Sequence, residues 1–160
     1  MGIWRNQKVA VKTCLSSGEE FWENELRILE MAQGHTNILR LITADNLFKS
    51  DCLEQWLVTE YHENGSLYDY LQEHCISIEV ALNMCTTMCD GLAYFHMPIE
   101  ACKSKPSLAH CDFKSMNVLV KRDLSCCISD FGLSLVGALD GSVVLRGNLA
   151  RNSGKSIFQF

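Results

Sequence analysis

The chain has 160 residues, 48% of them hydrophobic and 21% charged, with a formal net charge of -5, a balance that excludes disordered, fibrous and membrane-embedded classes. A negative chain offers no general attraction to nucleic acid or anionic lipid, because both reward clustered Lys and Arg. No apolar run approaches the roughly 20 residues that cross a bilayer, and Asn6 stands where a myristoylation signal wants Ser or Thr.

In chain order, Lys8 to Thr13 alternates β-branched residues with others and predicts a strand carrying Lys12. Ser16 and Ser17, each followed three residues later by Glu19 and Glu20, form a capping-box arrangement that opens a helix. That helix runs to about Gln33, where Gly34 stops it. Two strands follow, Ile38 to Ala44 and Gln55 to Thr59, joined by the polar segment around Lys49, Ser50 and Asp51. The first part is therefore a small sheet with one helix. Tyr61 to Gly65 is a polar turn, and helices begin after Ser66.

From Ile78 to His96 the residues Ile78, Leu82, Cys85, Met88, Cys89, Leu92 and Phe95 recur at three- and four-residue steps, the pattern of an amphipathic helix whose apolar face needs a partner. Cys85 and Cys89 share a face of it without a second ligand pair at metal spacing, and read as buried structural thiols. The cysteine count of nine is odd and contains no C-x-x-C, so the thiols read as reduced. After a loop with Pro98 and Pro106, short strands are expected at Val118 to Lys121 and Cys126 to Ser129. Successive strand side chains point to opposite faces, which puts one of Cys126 and Cys127 in the core and leaves the other covered.

The chemistry concentrates in His110-Cys111-Asp112-Phe113-Lys114-Ser115-Met116-Asn117, followed by Asp130-Phe131-Gly132. An H-x-D-x-K-x-x-N run with a downstream D-F-G supplies one carboxylate, one cation and two metal ligands. Phosphoryl transfer needs those parts to position a hydroxyl, hold Mg²⁺ and neutralise charge on the γ-phosphate. Singly, each residue reads as a solvated loop group; the joint spacing argues otherwise. Upstream, V-A-V-K ends on Lys12, placed to grip nucleotide phosphates, and Glu25 lies thirteen residues later as its ion-pair partner, with Glu23 the fallback if the helix register slips.

The run from Trp56 to Leu71 resembles the hinge of the transforming-growth-factor-β receptor kinases, and Leu124 to Leu135 with Ile42 to Ala44 resembles type II members. The resemblance covers the chain to about Leu135. It implies an α+β, two-lobed kinase-like fold: residues 1–62 as a partial N-lobe and hinge, 63–135 as a partial, mainly helical C-lobe, and 136–160 as a truncated activation segment with a divergent tail. It further implies Asp112 and Lys114 as catalytic groups, Asn117 and Asp130 as Mg²⁺ ligands (Mn²⁺ an alternative), Lys12 and Glu25 at the ATP phosphates, and Thr59 beside the adenine. Backbone groups of Glu60, Tyr61 and His62 would meet the purine, and Asp69 the ribose. The implied parent is a single-pass plasma-membrane receptor with this domain cytoplasmic and its ligand bound by an ectodomain. It would transfer the γ-phosphate of ATP to Ser or Thr of a type I receptor partner.

The pattern is departed from in three places. Only Met1 to Gln7 precede the Lys12 strand, so no glycine-rich loop is expected; Cys111 stands where the family has Arg; and no A-P-E motif follows Asn152-Ser153-Gly154. An Ile78 to His96 face left bare by several hundred Å² would cost about 5–10 kcal/mol at roughly 25 cal/mol per Å², so the chain alone is expected to be marginally stable and weakly active or inactive. The competing readings are a non-catalytic, pseudokinase-like binding or competitor module and, more remotely, an unrelated α+β binding domain.

Overall fold

The computed structural model describes residues 1–15, 19–49, 52–100 and 104–137. Strand β1 (Gly2–Trp4) turns back through Arg5 and Asn6 into β2 (Gln7–Leu15). Both turn residues have positive φ, 45° and 68°, the geometry of a two-residue hairpin whose twist matches its strands. With β3 (Leu41–Lys49) and β4 (Cys52–Glu60) they form an antiparallel sheet in the order β1-β2-β4-β3.

Helix α1 (Glu19–Ala32) covers this sheet. Trp22, Glu25, Ile28, Leu29 and Ala32 are its buried positions, at the three- and four-residue spacing of a single helical face. A carboxylate on an otherwise apolar stripe is costly unless paired, so Glu25 marks this helix for a cationic neighbour. Gly34, at φ 110°, ends the helix region as expected. The capping box at Ser16 and Ser17 lies outside the described residues.

The strand expected from Ile38 begins only at Leu41. Residues 37–39 are occupied elsewhere: Leu39 N donates to Ile128 O (2.9 Å), Ile128 N to Asn37 O (2.9 Å), and Asn37 Nδ2 to Cys126 O (2.7 Å). This stitch joins the sheet and α1 to the second half of the molecule. Both sheet strands also run further than their apolar cores suggested, since β3 and β4 pair from Leu41↔Thr59 out to Lys49↔Cys52.

Ser66 accepts a hydrogen bond from Asp69 N and caps α2 (Leu67–Glu73); Ser77 does the same for α3 (Ile78–His96) through Val80 N. The bounds of α3 are those predicted, but its inner face is not. Met84, Gly91 and Phe95 are buried, whereas Ile78 and Leu82 are 74% and 61% exposed and Cys85 and Cys89 are exposed as well. The reading of Cys85 and Cys89 as buried thiols is therefore corrected. The helix carries two apolar stripes, and periodicity does not say which of them faces inward.

Gly91 is where α3 lies closest to the stitch. A Cβ there would sit 2.8 Å from Asn37 O and 3.0 Å from Ile128 Cδ1, and the carbonyl is held by its bond from Ile128 N. Gly91→Ala will lower the urea midpoint, because overpacking costs typically about 1–3 kcal/mol against a helix-propensity gain of at most about 1 kcal/mol.

Past α3, β5 (Leu108–Ala109) pairs with β8 (Leu135–Val136), and β6 (Val118–Val120) pairs with β7 (Cys126–Ile128). Cys126 and Cys127 are both fully buried, on opposite faces of β7: Cys126 in a cluster with Leu67, Met84 and Val118, Cys127 in the larger one with Ile28, Leu57 and Phe131. Buried Lys105 donates to Phe95 O, Met97 O and Pro106 O at 2.7–3.0 Å. It thereby ties the C-terminal end of α3, where free carbonyls gather, to the segment leading into His110.

Candidate active site

Lys12 projects from β2, and its Nζ lies 2.6 Å from Glu25 Oε2 and 3.1 Å from Asp130 Oδ1. Glu25, not the exposed Glu23, is the partner. Burial pulls the Lys12 pKa down, but the carboxylates of Glu25 and Asp130 outweigh it and the net shift is upward. Burial raises the Glu25 carboxyl, with Lys12 opposing.

A second group forms around Asp112. Lys114 Nζ sits 2.6 Å from Asp112 Oδ2, and Asn117 Nδ2 donates to Asp112 O (2.9 Å) and Oδ2 (3.0 Å). Burial works to raise the Asp112 carboxyl, yet the bonds from Lys114 and Asn117 bring it below its ordinary value. Asn117 is buried in a 3₁₀ turn (Ser115–Asn117) leading into β6.

The two groups are coupled through one residue. Ser129 donates to Asn117 O from both its backbone N and its Oγ, each at 2.9 Å. Its neighbour Asp130 adopts φ 62°, a left-handed conformation uncommon outside Gly, Asn and Asp. Asp130 remains 47% exposed at its side chain. Phe131 is fully buried against Phe95 and His110, with ring centroids 5.1 and 5.4 Å away. On the far side, Asn24 Nδ2 of α1 donates to Gly132 O and Ser134 O, both at 2.9 Å.

Asp112 N donates to His110 Nδ1 (3.3 Å), so His110 carries its proton on Nε2 and donates it to Ser129 O (3.0 Å). Burial holds this ring below its ordinary pKa of 6.5, partly offset by Ser129 O, Asp130 and Asp112. As pH falls through 6.5, the unfolded chain takes up a proton that the folded ring resists, so stability drops from that pH downward until the folded ring also titrates. A His110→Gln chain will show a shallower loss in urea titrations between neutral pH and pH 5, by at most about 1.4 kcal/mol per pH unit. His35, also lowered by burial, keeps its share.

The remaining sequence candidates are not partners in these ion pairs. Thr59 is buried near the end of β4, opposite Ala10 of β2. Glu60, Tyr61 and His62 follow it in order, Tyr61 being exposed. The Asp69 carboxylate accepts from Ser66 Oγ (2.7 Å), which makes it a partner of the α2 cap. Asn24, Lys105 and Ser129 were not singled out from the sequence, and Phe95 was read only as part of the apolar face of its helix. An Asn, a Lys and a Ser at unremarkable spacings carry no pattern, and only the fold gives them neighbours.

The donor set suits a hard cation at a polyphosphate. Asp130 offers a half-exposed carboxylate, and Asn117 spends its amide N–H groups on Asp112, leaving its amide oxygen as the donor atom. Lys12 supplies a phosphate-sized positive charge on the same side.

The class these elements define is that of the protein kinases. The chain belongs to the protein tyrosine and serine/threonine kinase family, whose family model matches residues 1–148. Among curated relatives, it is 40% identical over 151 residues to a human protein named activin receptor type-1-like, a match covering 94% of this chain and 30% of the relative. It is 42% identical over 135 residues to the rat protein named TGF-beta receptor type-1, covering 84% of this chain and 27% of the relative. The chain thus spans less than a third of these relatives' length. The type II assignment expected from Ile42 to Ala44 and Leu124 to Leu135 finds no support here, since these relatives are named type-1 receptors. Two short runs weigh little against an alignment of this length. No helix among the described residues is long and apolar enough to cross a membrane.

Proposed function

We propose that this chain is the nucleotide-binding and phosphoryl-transfer part of a receptor serine/threonine kinase of the TGF-β and activin receptor class. ATP with Mg²⁺ is the donor, with Mn²⁺ an alternative metal. Lys12, held by Glu25, grips the phosphates; Asp130 and Asn117 hold the metal; Asp112 orients the acceptor hydroxyl; Lys114 neutralises charge on the transferring group. Thr59 and the backbone of Glu60 to His62 border the purine, and Asp69 the ribose. The observation that carries this reading is the joining of Lys12–Glu25–Asp130 to Asp112–Lys114–Asn117 through Ser129.

The type-1 names of the relatives favour a type I-like receptor. A type I receptor as acceptor belonged to the type II reading, so the acceptor is proposed only as Ser or Thr of a partner within a receptor complex. The parent is proposed to sit in the plasma membrane with this domain cytoplasmic, its extracellular ligand bound elsewhere in the protein. Because the chain alone is expected to be weakly active or inactive, the test uses the completed kinase domain: phosphate transfer from γ-labelled ATP to Ser/Thr peptides, above an Asp112→Asn blank and absent on Tyr peptides, is the expected result.

A non-catalytic, nucleotide-binding role is favoured by one feature, Cys111. It is exposed, adopts φ 62°, and stands where the resemblance expects Arg, so no cation is supplied beside Asp112 from that position. Nucleotide binding with transfer no greater than the Asp112→Asn blank would select this second reading.

A further inference from the structure

Where β4 runs into the segment that follows it, the side chains of Glu60 and His62 meet that of Cys127 from β7. His62 Nε2 lies 3.2 Å from Glu60 Oε1 and 3.4 Å from Cys127 Sγ, and the three potential ligand atoms all fall within 4.8 Å of one another. With metal–sulfur bonds of about 2.3 Å and metal–nitrogen or –oxygen bonds of about 2.0–2.1 Å, a tetrahedral zinc site has ligand–ligand edges of roughly 3.3–3.6 Å. The two observed separations from His62 are already of that size, and the Glu60–Cys127 edge, within 4.8 Å, closes to about 3.6 Å when a cation is held.

We propose that Glu60, His62 and Cys127 form a binding site for a borderline-soft divalent cation of the Zn²⁺ type. One thiolate, one imidazole and one carboxylate suit zinc; hard cations such as Mg²⁺ and Ca²⁺ prefer all-oxygen sets. Three protein ligands leave a fourth position for water or an exchangeable ligand. Glu60 also lines a cavity of about 310 Å³, shared with His35, Thr36, Arg40 and Lys121.

The surroundings complete the ligand set. Arg40 Nε lies 3.5 Å from the other Glu60 oxygen, Oε2, and so orients the carboxylate as outer-shell partners do. Burial pushes the Cys127 thiol up to about 12, so at neutral pH the cation displaces the thiol proton to solvent as the metal–sulfur bond forms, and a coordinating thiol is deprotonated outright. Because Glu60 ends β4 and Cys127 lies in β7, a bound cation clasps the sheet to the hairpin. All three ligand atoms belong to side chains, so the site is independent of the nucleotide contacts proposed for the backbone of the same residues.

The test uses the reduced full chain with the exposed Cys75, Cys85, Cys89 and Cys111 changed to Ser, and Cys52 and Cys102 likewise. Titration with Co²⁺ is expected to give one equivalent bound, tetrahedral d–d bands and a thiolate-to-cobalt charge-transfer band, all removed by one equivalent of Zn²⁺. Cys127→Ser should abolish the charge-transfer band and weaken Zn²⁺ binding by about 100-fold or more, and His62→Gln by about 10-fold or more. Should Cys127→Ser fail to fold, Glu60→Gln, at a partly exposed position, must show the loss with unchanged circular dichroism. No stoichiometric binding, octahedral spectra without a sulfur band, adventitious binding at several weak sites, or binding indifferent to Cys127→Ser and Glu60→Gln each overturns the proposal.

Discussion

In the completed kinase domain, Asp130→Asn will lower Mg²⁺-dependent phosphoryl transfer by about two to three orders of magnitude, the scale expected when one preorganised charge at the transferring group is lost. The substitution is informative because little else changes. Asp130 adopts φ 62°, a conformation that Asn tolerates at least as well as Asp, so the backbone strain is preserved. The carboxylate is 47% exposed, so the fold does not depend on its burial. What is lost is the charge: a neutral amide is a poorer ligand for a hard cation, and Lys12 keeps only Glu25 as a carboxylate partner. ATP affinity should fall with Mg²⁺ present and change little with Mg²⁺ withheld. Asp112→Asn provides the contrast: on the proposed role of Asp112 toward the acceptor, Mg²⁺–ATP binding is retained while transfer is lost. Full turnover by Asp130→Asn would remove this residue from the metal site.

The ionic site was legible in the sequence because its members carry charge at spacings that few other arrangements share. Lys12, Glu25, Asp112, Lys114, Asn117 and Asp130 fall into two groups separated by a single residue, and each of the six makes at least one contact with another member. Spacing picked out Glu25, thirteen residues after Lys12, and the structure adds that it interrupts an otherwise apolar buried stripe. Apolar patterning was a weaker guide. Along α3, Cys85 and Cys89 satisfy the same three- and four-residue rule as Met88 and Phe95, yet the first pair faces outward. What turns the helix is Gly91, whose missing side chain admits Asn37 O, and that contact joins residues 54 positions apart. The start of β3 was misread for the same reason. Residues 37–39 have strand-like composition, but their hydrogen bonds go to β7. Long-range pairing chooses among locally equivalent options, and a single sequence holds no local mark of it.

The same reasoning separates two phenylalanines that look alike in sequence, each following an aspartate of the motif. Phe131→Ala will cost about 3–5 kcal/mol of folding stability, the range for a fully buried large aromatic cut back to Ala, whereas Phe113→Ala will stay within about 0.5 kcal/mol of the parent. Phe131 is 0% exposed, stacked on Phe95 and tilted against His110; Phe113 is 44% exposed and only edges His110, at 6.0 Å. Removing the Phe131 ring leaves a cavity in the cluster that holds Ile28, Leu57, Cys127 and Ile128. The cavity cannot close easily, because Asn24 pins the backbone beyond it at Gly132 and Ser134 and Ser129 pins it before Asp130. Phe131→Leu refills most of the volume and should cost less than Phe131→Ala. Urea titrations of the three chains are the measurement. If Phe131→Ala and Phe113→Ala shift the midpoint equally, the ring cluster of Phe95, Phe131 and His110 does not anchor the segment that carries Asp130.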